Sequence, residues 1–197
     1  MQDLARTRPD RQIVAIEDPV ERRLDGIAQV EVRPHLGFGF PEALRATLRQ
    51  DVDVIVVGEV RDGETAQATV RAALTGHLVI ATCHTGRAHE VVPRLCELGA
   101  DPRLLVSALS LVATQRLVRL RHADCRGAGC GGCLDGFRGR RPVCDLLVVE
   151  HSARLSLLAD GRPLLACDLQ IQAEALVAEG LTTPSEVARV LTTGRSA

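Results

Sequence analysis

Three apolar runs, each closed by polar side chains, organise the first half of the chain. RQIVAIEDPVE, from Arg11 to Glu21, carries a branched apolar run into Glu17 and Asp18, and Pro19 argues against a helix through that point. Asp53 to Glu59 repeats the pattern as DVIVVGE, and His77 to Gly86 repeats it as HLVIATCHTG, with Cys83 and His84 at its polar edge. Between the second and third runs, GETAQATVRAALTG spaces Ala66, Val70, Ala73 and Leu74 as one helical face, and Gly76 ends it. Strands joined by a helical crossover are parallel, so the pattern predicts an α/β domain. The carboxyl ends of its strands open into one crevice holding Glu17, Asp18, Glu59, Cys83 and His84.

The remaining segments read more briefly. Partial alternation with Pro34, Gly37 and Gly39 predicts a small two-stranded ribbon over 28–40, and Pro41 opens a helix with Leu44 and Leu48 on one face and Arg45 and Arg49 on the next. Helices are predicted from His89 to Leu98, bent at Pro93, and from Pro102 to about Leu117, with Gly99 between them. From His122 to Pro142 the composition turns to Cys, Gly and Arg, a compact loop-rich module; VCDLLVVE after it reads as a short strand. Helices follow from Leu169 to Glu179 and from Pro184 to Leu191, the last capped by Thr182 and Thr183 with Glu186. The division expected is an α/β core over 1–121, a Cys-rich module over 122–146 and a helical carboxyl-terminal region over 147–197.

Composition changes this picture in three places. With 197 residues, 46% apolar and a net charge of -1, the chain can bury one good core and a small satellite. No apolar stretch reaches the roughly 18 residues of a membrane span, and MQDLARTRPD has no apolar signal region, so a cytoplasmic protein is expected. All 24 basic residues are arginine, which excludes a phosphate-binding loop of the Gly-x4-Gly-Lys-Ser/Thr form within these residues. Three phenylalanines, with no tyrosine or tryptophan, leave nucleic-acid bases little to stack on; Arg126, Arg138, Arg140 and Arg141 read as a solvated protein-contact face, and no nucleic acid is expected.

A carboxylate at the carboxyl edge of a buried parallel strand can hold Mg²⁺ beside bound phosphates, and Glu59 has that placement. It equally suits the simple end of a buried strand. Several motifs in one order narrow the choice: IEDPVE, LRQDVDVIVVGEVRDGETA, AALTGHLVIATCHTG, ATQRLVRL, GCGGCLDGFRGR and GLTTPSEVARV. From Arg11 to Leu191 the chain resembles the carboxyl-terminal half of the secretion-system traffic ATPases, the assembly ATPases of type II secretion, type IV pili and competence pseudopili.

The resemblance implies a partial RecA-like P-loop NTPase core that uses ATP and Mg²⁺. Glu17 is then the general base or water-positioning carboxylate, Asp18 organises the turn or the metal, and Glu59 holds Mg²⁺ through water. His84 senses the terminal phosphate; Arg49 and Arg61 neutralise transition-state charge or cross a subunit boundary. Each has a plainer reading: Glu17 bonded to the turn at Pro19, Glu59 paired with Arg61, His84 in packing or an interstrand bond, and the two arginines in ordinary salt bridges. His77 reads as architectural.

The resemblance further implies a homo-oligomer, a hexamer in an intact member, that works on the inner-membrane platform proteins of a secretion or pilus system and reaches the membrane through them. It places a phosphate-binding loop and a central strand, next to the strand of His77 to His84, upstream of Met1. The isolated chain is therefore expected to be inactive, as part of an ATPase or as a non-catalytic assembly or regulatory remnant.

The cysteines form a separate constellation. Cys130 and Cys133 can present two thiolates to one tetrahedral Zn²⁺, Cys125 a third, and Cys144 or His122 a fourth. Free or redox-active thiols, and lost ancestral ligands, are the alternatives, because the resembled family uses two separated cysteine pairs and CRGAGCGGC lacks a clean first pair.

Overall fold

The computed structural model of the protein describes residues 1–159 and 165–192. The chain divides into two compact units, one made of 1–84 with 92–108 and the other of 85–91 with 109–197.

The first unit is a parallel sheet. Helix α1 (Gln2–Thr7) leads to β1 (Ile13–Glu17), β2 (Ala28–Glu31), α2 (Phe40–Thr47), β3 (Val54–Val57), α3 (Gly63–Leu74), β4 (Leu78–Ala81), α4 (Val91–Glu97) and α5 (Pro102–Ala108). The strand order is β2-β1-β3-β4, every pair parallel. The apolar runs of β1 and β3 are the two central strands, with Ile13 to Ile16 and Val54 to Val57 all buried. Burial on both faces is why those runs do not alternate. One face packs Ile13, Ala15, Val54 and Val56 with Ile27 under Leu4, Ala5 and Leu24. Helices α2 and α3 pack against each other and bury Ala43 and Leu44, and Ala66 and Val70. Asp62 starts α3 by accepting hydrogen bonds from the Thr65 amide and hydroxyl, both 2.8 Å.

The ribbon expected over 28–40 does not form. Ala28–Glu31 instead extends the sheet beside β1, Val14 opposite Ala28 through Glu17 opposite Glu31, and only a single Arg33–Phe38 bridge remains around the turn at Pro34–Leu36. The open edge of β1 offers a full ladder, whereas Pro34 has no amide hydrogen to give to a hairpin.

In the second unit, β5 (Leu111–Arg121) and β6 (Phe137–Val148) form one antiparallel hairpin, followed by α6 (His151–Leu158), α7 (Leu169–Ala178) and α8 (Pro184–Thr192). The helix expected from Pro102 to about Leu117 therefore stops at Ala108. Beyond it, Val112, Thr114 and Val118 are buried while Leu111, Ala113 and Gln115 are exposed, a period of two that fits a half-covered strand. Of VCDLLVVE, Val143 to Val148 form the second half of β6. Helices α7 and α8 close over Val118 and Val143, adding Leu169, Ala173, Leu176, Val187 and Val190 to the core.

A buried carboxylate holds α8 to β5. Glu186, its side chain fully buried, accepts the Arg119 amide at 3.1 Å, the Arg119 guanidinium at 3.0 and 2.7 Å, and the Arg189 guanidinium at 2.9 and 2.7 Å. Those bonds, that from Arg189 foremost, keep its carboxyl well below the usual range against the opposing effect of burial. Glu186→Ala would leave Arg119 without its buried partner, and we expect a loss of about 3 kcal/mol in denaturant unfolding. A lowered native pKa means that the contribution of Glu186 is complete above the ordinary carboxylate range and is lost as pH falls below about 4. The Glu186→Ala chain should accordingly lose less stability than the parent on acidification over that window.

Candidate nucleotide edge and metal centre

The parallel register brings three strand ends level. Ile16 pairs with Val57 and Val57 with Ala81, so Glu17, the last residue of β1, and Glu59 and His84, just past β3 and β4, all lie at the carboxyl ends of adjacent strands. Gly58 makes the close approach possible: its amide donates to the Ile16 carbonyl at 2.8 Å, and a Cβ there would lie 2.9 Å from that oxygen. Past β4, the Val60 amide donates to the Thr82 carbonyl at 2.9 Å and the Thr82 hydroxyl donates to the Gly58 carbonyl. Thr82 thereby ties the segment of His84 to that of Glu59, a supporting role that the apolar-run pattern did not single out.

At this edge the half-buried Glu59 lies between two cationic or protonatable groups. Arg61 Nη2 is 2.5 Å from Oε2 and His84 Nε2 is 2.6 Å from Oε1, while the His84 side chain is 89% exposed. The Arg61 hydrogen bond, then the charge of His84, hold the Glu59 carboxyl below its ordinary value. An ionised carboxylate with an exposed imidazole on its open side can receive a cation or pass a proton. The pairing of Glu59 with Arg61 is thus present in this state.

Glu17 does not bond to the turn at Pro19. Its Oε1 accepts from Gln29 Nε2 at 2.7 Å, and Gln29 also donates to the Arg22 carbonyl and accepts the Leu24 amide, both at 2.9 Å. The Val20 amide goes to Glu31, at 3.3 Å. Asp18 is exposed and joined to Pro19 by a cis peptide. Arg49 is exposed just past α2 and precedes β3, so it lies at the amino-terminal end of the sheet and is not brought to the edge of Glu17, Glu59 and His84. A polar cavity of about 460 Å³ also lies at that far end, lined by Asp10, Arg11 and Gln12 among others. His77 is architectural, its Nδ1 3.1 Å from the Ala72 carbonyl and 3.2 Å from the Thr75 hydroxyl at the end of α3.

The hairpin loop assembles a second site from His122, Cys125, Cys130 and Cys133, whose ligand atoms all lie within 4.8 Å of one another. Cys133 Sγ is 3.8 Å from Cys125 Sγ and 3.7 Å from Cys130 Sγ; His122 Nδ1 is 3.5 and 3.3 Å from the sulfurs of Cys125 and Cys130. Zn–S bonds of about 2.3 Å at tetrahedral angles require sulfurs about 3.8 Å apart, so the cluster already has the dimensions of a zinc tetrahedron. Burial pushes the Cys125 thiol up, but the bond with His122, the Gly129 and Gly127 amides and Cys133 outweigh it, leaving a pKa of about 6 and a thiolate at neutral pH. On the other side of the imidazole, Nε2 lies 3.2 Å from Asp124 Oδ2, the outer carboxylate that fixes the tautomer of a metal-binding histidine.

Cys144 does not belong to this set. It lies within β6, opposite Gln115, where Gln172 donates to its carbonyl at 2.6 Å and to Cys167 Sγ at 3.0 Å. Seven residues of extended chain beyond Phe137 carry it about 20 Å from the loop. His122 takes its place. The first ligand pair, which a search for two cysteines passes over, is His122-x2-Cys125, with the same spacing as Cys130-x2-Cys133.

Comparison with known proteins gives this geometry a setting. The profile of the family described as Type II/IV secretion system protein matches residues 2–189. The chain is 39% identical to the type II secretion system protein E of Dickeya dadantii over 92% of its own length and 43% of that protein's. It is 42% identical to the type IV pilus assembly ATPase PilB of Thermus thermophilus over 77% of its length and 20% of that protein's. It therefore spans less than half of the curated relatives it matches. Among solved structures, the pilus retraction motor PilT with bound ADP superposes with a TM-score of 0.69 at 29% identity, covering 91% of this chain and 52% of that one. The Legionella pneumophila ATPase DotB gives the same score at 21% identity, a likeness of fold. The parallel sheet thus resembles the α/β core of a RecA-like P-loop NTPase, and it is accompanied by a His-Cys cluster and a helical carboxyl-terminal region.

Elemental analysis of the purified chain should find about one Zn²⁺. His122→Ala or Cys130→Ser should remove it, whereas Cys144→Ser and Cys167→Ser should retain it. Asp124→Ala should weaken zinc binding by about tenfold in chelator competition, since the carboxylate orients His122 without touching the metal.

Proposed function

The chain belongs to the Type II/IV secretion system protein family, and from that membership we propose that it is the carboxyl-terminal portion of an ATPase that powers pseudopilus assembly or type II protein secretion. The observation that carries this reading is the level edge at which His84 Nε2 meets Glu59 Oε1 at 2.6 Å, one strand away from Glu17. Such an edge supplies a water-orienting carboxylate, a metal-holding carboxylate and an exposed imidazole at the crevice where α/β sheets bind ligands.

In this scheme Glu17, steered by Gln29, orients the attacking water and accepts its proton. Glu59 would hold Mg²⁺ through water, and the exposed His84 would sense the terminal phosphate. Arg61, paired with Glu59 in this state, would meet negative charge on the phosphoryl group, and Arg49, at the opposite end of the sheet, is assigned to a subunit boundary. Mg²⁺ supplies charge neutralisation on the phosphates. The phosphate cradle comes from outside these residues, because no lysine occurs among them. The same segment supplies a strand for the exposed edge of β4, where Leu78 and Ile80 are 54% and 41% exposed. Work in the cytoplasm, as a hexameric ring beside inner-membrane platform proteins, completes the proposal. Among the described residues no helix is long and apolar enough to cross a membrane. The missing lysine also favours a second reading, a non-catalytic subunit that assembles with secretion ATPases.

Purified alone with Mg-ATP, the chain should release no phosphate above background; turnover near 1 s⁻¹, free of contaminating ATPase, contradicts the proposal. Joined to a segment carrying a Gly-x4-Gly-Lys-Ser/Thr loop and assembled, it should hydrolyse ATP. Glu17→Gln should then keep nucleotide binding and oligomer size while turnover falls by 100-fold or more. An assembled ring that binds no ATP would leave only the non-catalytic reading.

A further inference from the structure

A second pair of thiols lies in the same unit, outside both of the sites described above. Leu146 and Cys167 form an isolated antiparallel bridge: the Leu146 amide donates to the Cys167 carbonyl at 2.8 Å, and the Cys167 amide donates to the Leu146 carbonyl at 3.3 Å. Side chains of such a pair share a face, and residues two apart on one strand share it too. Cys144 and Cys167 are therefore diagonal neighbours on one face. Asp145 and Asp168 fall on the other. The same Cys-Asp dipeptide occurs at 144–145 and at 167–168, so the bridge sets thiol beside thiol and carboxylate beside carboxylate.

Each face has its own clasp. Arg87 holds the carboxylates, with Nε 2.7 Å from Asp145 Oδ2 and Nη2 3.4 Å from Asp168 Oδ2. Gln172, in the first turn of α7, holds the thiols: its Nε2 lies 3.0 Å from Cys167 Sγ and 3.9 Å from Cys144 Sγ, and donates to the Cys144 carbonyl at 2.6 Å. The sulfurs are thus no further apart than the sum of those two distances to one nitrogen. Burial, then the charge and the hydrogen bond of the adjoining Cys144 thiol, push the Cys167 thiol up. Both cysteines are half-buried thiols, open to small solutes. Diagonal neighbours have Cα atoms about 7–8 Å apart, whereas a disulfide takes about 4.4–6.8 Å, so closing the pair needs a shift of roughly 1 Å. The segment of Cys167 meets β6 through one bridge and not through a ladder, so the shift disturbs few bonds.

We propose that Cys144 and Cys167 are a reversible thiol–disulfide pair, oxidised by low-molecular-weight disulfides, whose closure staples the start of α7 to β6. One thiol gives up its proton, and its thiolate attacks the small disulfide, forming a mixed disulfide and releasing one small thiolate. The second thiol, deprotonated in turn, attacks the protein sulfur of that bond. The Cys144–Cys167 bond forms and the second small thiolate leaves. The protein loses two electrons and two protons, and the small disulfide takes them up as two thiols. The strain of the diagonal placement favours return to the dithiol, as it does for other strained or exposed disulfides. A metal suits the pair less well: Gln172 turns an amide donor to the sulfurs, and among the described residues no third ligand converges on them. The switch stands independently of whether the assembled protein hydrolyses ATP.

Oxidised glutathione, applied to the zinc-loaded chain, tests the pair. After acid quenching, denaturation and zinc removal, alkylatable thiols should number two fewer than the seven cysteines of the sequence. Non-reducing peptide maps should join the peptide of Cys144 to that of Cys167. Zinc content before quenching should match the untreated chain, and an excess of reduced glutathione should restore every thiol. Cys144→Ser and Cys167→Ser should each carry a mixed disulfide at the remaining partner and form no internal link; Cys144→Ala and Cys167→Ala replace either variant that folds poorly. Thiols at 144 and 167 that stay unlinked overturn the proposal. So does a link from either one to a different cysteine or to a second chain, a link that forms only as zinc is lost, or one that reduced glutathione does not open.

Discussion

The register of the parallel ladder is the constraint from which the candidate chemistry follows. β1 and β3 are buried on both faces and locked opposite one another, Ile13 to Val54 through Ile16 to Val57, with β4 continuing the alignment. A slip of one residue would turn every side chain of a strand to the other face. It would also separate Glu17 from Glu59, and Gly58 shows how little room the arrangement leaves, since any side chain there meets the Ile16 carbonyl. The polar edge is thus positioned by apolar packing: the carboxylates sit where four-residue hydrophobic runs end.

The second unit reaches rigidity differently. A two-stranded hairpin is marginal by itself, and here it is supported at two points. Near its middle, α7 and α8 cover Val118 and Val143 while Glu186 binds Arg119 through both the backbone and the guanidinium. At its tip, four ligands over twelve residues of glycine-rich loop bring their donor atoms to zinc-like separations. Glycine and cysteine dominate this loop, which leaves almost no apolar surface to bury; a metal is the kind of staple that such a segment requires. Deeper in the hairpin a second buried charge is neutralised within the unit, where Asp145, fully inaccessible, lies 2.7 Å from Arg87 Nε and accepts the Leu169 amide at 3.1 Å.

How far the sequence can be read follows from the same physics. β1, β3, α3 and β4 are visible in it because long apolar runs and a capped amphipathic face are local signals. β2 is not, because Ala28–Glu31 is a strand only through its partner, the edge of β1. The start of β5 reads as helix because LVATQRLVRL satisfies both periods; the decision lies in β6, up to 37 residues further on. The metal ligands divide similarly. Cys125, Cys130 and Cys133 are evident from spacing, while His122 competes with Cys144 until the strand carries Cys144 away to Gln172. Gln29 and Thr82, which aim Glu17 and anchor the segment of His84, have no pattern to announce them, since their roles are set by hydrogen bonds across the sheet.

The exposed flank of β4 connects the two halves of the functional argument. A four-residue strand with Leu78, Ile80 and Ala81 exposed is a poor sheet edge, since it offers an unpaired ladder and apolar side chains together. Natural edges carry charge, proline or a bulge, and β4 has none of these. The strand is also the one that delivers His84. A neighbour paired with β4 would remove the edge and, in a parallel sheet, would end beside His84 at the same carboxyl rim. Phosphate-binding loops follow strands at that rim. In the proposed reading, the exposed apolar edge and the phosphate cradle have one common remedy, a strand and its loop from outside these residues, and that strand would bring the phosphates to Glu59.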